Sequence, residues 1–164
     1  MADSEFLKGV MELYQGEILG EVLFTGLLPA AEDDDQRYKL GTMLQLESET
    51  KARLRPWLFR HRLDLSEDAA VRAEGVSLAE NLRPMKWLDK MTVIHDALRD
   101  RFIPRFKEIA AMAPAEDREM AQSMVEHESA LFEMARREIA SMTDRSADPV
   151  VALLKFPLPL PRTR

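Results

Sequence analysis

Glu17, Glu47, His95 and Glu128 each fall where an apolar core should exclude them. Glu17 lies on a helical stripe with Val10, Leu13, Phe24 and Leu27, and Glu47 on one with Leu40, Leu44, Leu54 and Leu58. His95 follows Leu88 and Met91 and precedes Leu98 and Phe102; Glu128 shares a face with Met124, Leu131 and Ala135, beside His127. Residues three, four or seven apart lie on one side of an α-helix, so these polar groups point with the apolar residues rather than away from them. An uncompensated buried carboxylate is costly, whereas a cation held by several of them offsets the desolvation of each. Inward carboxylates and imidazoles at one depth of a helix bundle therefore make a metal cage.

The residues around them refine that expectation. Tyr14 stands one turn before Glu17 and offers a nearby redox or hydrogen-bonding group, and Glu21 stands one turn after it, as a supporting group, an alternative ligand or a residue of the solvated edge. Gly16 and Gly20 interrupt the same helix at about 1 kcal/mol each, which implies a close helix–helix approach or a site there. Thr50 shares the face of Glu47 and can hydrogen-bond a ligand or water. Glu49 points away, to pair with Arg53 in solvent, and His61 between two arginines is an exposed residue. Either His127 or Glu128, or both, can turn inward, since Met124 and Leu131 flank both.

Composition limits the partners. A chain of 164 residues suits one core, and 46% hydrophobic with 32% charged residues marks a globular protein. A net charge of -6 provides no basic field for nucleic acid, and the absence of cysteine removes thiolate sites and disulfides. The first residues have neither the basic region nor the apolar run of a signal peptide, and no apolar run approaches a membrane span. A cytoplasmic, soluble protein is expected, with no membrane partner.

Elements that could position such a site are set by the helix breakers. Asp3 or Ser4 caps a helix over 5–28, stopped by Pro29; the run of aspartates at 33–35 caps a second over 36–61, with Pro56 kinking it or marking its last turns. A helical stretch over 66–82 precedes Pro84, and a long helix runs next over 85–111, disturbed at Pro104. Pro114 starts the last helix, ending near 142. No period-two pattern supports a strand, so the chain is all-α. Two antiparallel hairpins joined by a long, partly helical crossover make a four-helix bundle over 1–142. The remaining 143–164 is an apolar, Pro-rich tail, Asp148-Pro149 breaking the helix ahead of an extended Phe156-Pro157-Leu158-Pro159-Leu160-Pro161. It docks on its own bundle or on a partner subunit, and a homodimer is expected.

At Gly16-Glu17 with Gly20-Glu21, at Leu46-Glu47 through Thr50 and at His127-Glu128 through Leu131, the chain resembles the ferritin-like superfamily of carboxylate-bridged di-iron and di-manganese proteins. It is most similar there to small bacterial ferritin-like proteins of unassigned activity, over roughly 5–142. The resemblance implies Glu17, Glu47 and Glu128 as carboxylate ligands, with His127 or His95 beside them, around one or two ions of iron or manganese. It also departs from the superfamily: Thr50 and Leu131 stand where the Glu-x-x-His motifs carry histidine, and the third-helix carboxylate has only His95 as a counterpart. The function implied by the resemblance is an oxidoreductase using oxygen or peroxide on a small substrate. The alternatives are a metal-free binding module lined by methionines, its acids paired with Lys51 or Arg136, and a structural dimer with a degenerate site.

Overall fold

The computed structural model describes residues 2–161, with side chains from Ser4 onward. Among the described residues every regular element is helical and none is a strand. The helices are α1 (Ala2–Leu27), α2 (Asp34–Arg60), α3 (Ala69–Leu82), α4 (Trp87–Ala97), α5 (Ile103–Ala111), α6 (Arg118–Ile139) and the four-residue α7 (Asp148–Val151). No described helix is long and apolar enough to cross a membrane.

Capping explains most of the boundaries. Asp33 precedes α2 and accepts from the Gln36 N–H at 2.7 Å; Asp68 does the same for α3 through the Ala70 N–H at 2.7 Å. Each thereby satisfies a donor that the first helical turn leaves open. α1 already begins at Ala2, ahead of the expected cap at Ser4, and the side chain of Asp3 lies outside the described residues. Pro56 sits inside α2 without ending it.

Pro104 has the larger effect. The single helix expected over 85–111 is divided into α4, a π-helical turn over Leu98–Phe102, and α5. Proline lacks an N–H and crowds the carbonyl four residues back. The backbone widens just before it, so that the Ile103 N–H reaches back five residues to the Leu98 carbonyl. Pro149 likewise opens α7 rather than breaking structure, because a first-turn N–H is not needed.

The chain divides into two compact units. The first comprises Met1–Leu13 and Lys86–Val150. In it α4 runs antiparallel to α6: the Trp87 indole N–H donates to Glu138 Oε2 at 2.6 Å, and further along His95 stacks on Phe132 with ring centroids 4.5 Å apart. α5 is antiparallel to the start of α1, where Gly9 faces Ile109 and Arg105 forks onto Glu12 with both bonds at 2.8 Å. Ser146, Ala147 and Val150 are buried, so the tail expected to be extended from 143 instead begins with a 3-10 turn and α7.

The second unit comprises Tyr14–Met85 and Val151–Arg164. α2 is antiparallel to the remainder of α1, since Gly20 meets Glu47 and Tyr14 meets Arg55. α3 is parallel to α1: Gln15 bonds Ser66 and Asp68, Val22 abuts Gly75, and Gly26 abuts Ala79. The tail from Leu154 then lies along α2. Glu49 accepts from the N–H groups of Lys155 and Phe156 at 2.6 and 2.9 Å, and Leu158 covers Gly41. Glu49, expected in solvent beside Arg53, is thus the group that holds the tail.

Candidate metal centre

Glu17 and Glu47 come from facing, antiparallel stretches of α1 and α2. Both are buried, at 0% and 4% exposure, and each brings a carboxylate oxygen within 4.8 Å of the other. Apolar neighbours fix this inward orientation: Leu13 and Phe24 on α1, and Leu40, Leu54 and Leu58 on α2, are all buried. Gly20 permits the approach, for a Cβ there would stand 2.6 Å from both Glu47 oxygens. Two carboxylates this close and this dry repel unless a proton or a cation accompanies them.

A charged network borders the pair within the same unit. Lys51 bonds Glu21, and it donates to Glu67 at 2.9 Å; Ser48 donates to Glu21 at 2.7 Å, and Arg72 to Glu67 at 2.6 Å. Burial works against the Lys51 ammonium, but Glu21 and Glu67 outweigh it and hold its pKa above the usual lysine value. Lys51 in turn, aided by Arg72, holds Glu67 below the usual carboxylate range. Glu21, expected near the site, is therefore already matched by a cation. Tyr14 is buried one turn from Glu17, with its hydroxyl donating to the Leu65 carbonyl at 2.9 Å and accepting from Arg55 Nε at 3.2 Å. Its polar end ties α1 to the crossover. Thr50 is buried on α2.

In the other unit His127 and Glu128 are both buried on α6, at 1% and 6% exposure. His95 is half-buried on α4, its ring on Phe132 and its Nδ1 2.9 Å from Asp96 Oδ1. The inward face of α4 runs through Met91, Ile94 and Leu98, whereas Leu88 is half exposed. A stripe through Leu88 is thus slightly out of phase, and His95 sits at the edge of the true face.

Two buried side chains of one unit, Glu17 and Glu47, have the donor types that could hold a metal ion. His95, His127 and Glu128 belong to the other unit. Two further participants escape sequence reasoning. Glu67 resembles a helix-start residue and gives no sign of reaching Lys51; Ser48, beside Glu47, reads only as a small polar residue. Comparison with protein-family models, curated proteins and solved structures gave no match to the chain.

Proposed function

We propose that the protein is a ferritin-like metal protein in which the buried carboxylates Glu17 and Glu47 hold an iron or manganese ion for oxidation chemistry on a small substrate. The observation that carries this reading is the buried pair of carboxylates, Glu17 and Glu47, with oxygens within 4.8 Å. A divalent cation compensates two carboxylates in full. Oxygen donors with no thiolate suit Fe2+ and Mn2+, and the chain has no cysteine to offer a softer metal.

Two protein carboxylates leave coordination positions for oxygen, peroxide or substrate, and a bound metal would supply the redox and Lewis-acid chemistry. The chain's own part is to orient the ligands and to keep competing charge away. Lys51 and Ser48 do so by occupying Glu21. Thr50, at a position where the superfamily carries histidine, favours one ion over two. We propose further that the protein acts as a homodimer: Leu153, Phe156 and Leu160 of the docked tail still turn outward, at 43%, 63% and 76% exposure. That is an apolar face suited to a second copy.

Elemental analysis of protein purified from iron- and manganese-supplemented medium tests the metal reading. About one ion per chain is expected, lost on Glu47→Gln or Glu17→Gln with helical content retained. Metal-free protein from replete medium would refute it and favour the binding module.

A further inference from the structure

We propose that Gly20 is a positioning residue for Glu47: the space of its missing side chain is the seat of the Glu47 carboxylate. The proposal rests on the metal reading above. A Cβ on Gly20 would lie 2.6 Å from Oε1 and 2.6 Å from Oε2 of Glu47. Equal separation from the two oxygens means that the carboxylate straddles this direction and does not graze it with one edge. It occupies volume that any other residue at position 20 would fill. The seat lies three residues from Glu17, on the same helix as the carboxylate that Glu47 must join.

The geometry sets the consequence of filling it. Ordinary contacts of a Cβ begin at 3.4 Å, so alanine would displace both oxygens by about 0.8 Å, the difference between 3.4 and 2.6 Å. Metal–ligand distances tolerate only about 0.2 Å. The displaced group is, however, the free end of a flexible side chain, so the fold can accommodate it, and alanine is the better helix former. Stability and metal affinity should therefore move in opposite directions. Gly26 provides the contrast on the same helix. A Cβ there would stand 2.5 Å from the Ala79 Cβ, an atom fixed to the α3 backbone, so Gly26→Ala strains packing with no candidate ligand in reach.

The test compares wild type, Gly20→Ala and Gly26→Ala as full chains, by Mn2+ titration followed by electron paramagnetic resonance and by thermal unfolding of the metal-free proteins. Gly20→Ala should weaken Mn2+ binding about tenfold or more while its midpoint stays at or above wild type. Gly26→Ala should lower the midpoint and leave Mn2+ binding unchanged. Undiminished binding by Gly20→Ala, or an equal loss in both variants, overturns the proposal. If wild type binds no Mn2+ or Fe2+, the metal reading has failed, and the seat is judged separately in metal-free protein. There Gly20→Ala should raise the midpoint more in a Glu47→Ala background, where no carboxylate is displaced, than in wild type. An equal effect in both backgrounds removes the seat.

Discussion

Replacing Glu47 by glutamine separates the liability of the buried acids from their use. The substitution keeps the shape of the side chain and removes one charge from a pair whose oxygens lie within 4.8 Å. At an effective dielectric of about 20, two unit charges at 4.8 Å would repel by about 3.5 kcal/mol, which is the ceiling of the gain and is reached only with both acids ionised. Part of that gain is offset, because a buried amide must find partners at a cost of about 1 kcal/mol or more. A net rise of at most about 2 kcal/mol for the metal-free variant corresponds to at most about 4–8 °C in a chain of this size. The opposite order is expected with metal. At a free concentration of one hundred times Kd, binding stabilises wild type by about 2.7 kcal/mol, whereas a variant that does not bind gains nothing. Differential scanning calorimetry of chelator-stripped samples, with and without Mn2+, should show the ranking of the two proteins invert. A Glu47→Gln protein that melts below wild type without metal and gains the same increment from Mn2+ would refute both halves of the reasoning.

Other expectations rest on individual contacts. Trp87→Phe removes the indole donor to the buried Glu138 carboxylate at 2.6 Å and should cost about 1.5–3 kcal/mol in denaturant unfolding; an unchanged midpoint would show that this bond does not anchor α4 on α6. Arg62 ends α2 in the left-handed region at φ 56°, so Arg62→Gly should stabilise by about 1 kcal/mol, and a loss of stability would contradict the strain. Burial pushes the Glu49 carboxyl up, but bonds from Gln45 and the two tail amides prevail and hold its pKa below the ordinary 4.5. Its contribution to tail docking is therefore complete above pH 4.5 and disappears as pH falls through the lowered value, which the amide proton shifts of Lys155 and Phe156 should report; shifts that stay flat in acid, or that survive Glu49→Ala, would exclude it. Sedimentation should find the full chain dimeric and a chain ending at Leu154, which keeps the buried Ala147 and Val150, weaker in association; two monomers, or two equally stable dimers, would remove the tail from assembly.

The parts of this fold that were legible are those where one residue type carries a local physical consequence. Asp33 and Asp68 reveal helix starts because a short acidic side chain has few better uses than an unpaired helical N–H. Glu17 and Glu47 reveal themselves because a charge among leucines is an anomaly that only a partner or a proton resolves. Helix phase is less local: Leu88 and Met91 make a plausible stripe, yet Trp87, anchored to Glu138 on α6, turns α4 so that Leu88 faces out and His95 moves to the edge. The π-helical turn before Pro104 and the capture of the tail by Glu49 depend on backbone and chain segments far apart in sequence, which no periodicity encodes. Gly20 lies between the two cases. A glycine inside a helix announces that something approaches, but only the position of Glu47 across from it says that the visitor is a carboxylate. The donor types of the candidate site were thus legible from residues that violate a local rule, and their geometry was not, because distance depends on how the elements that carry them pack.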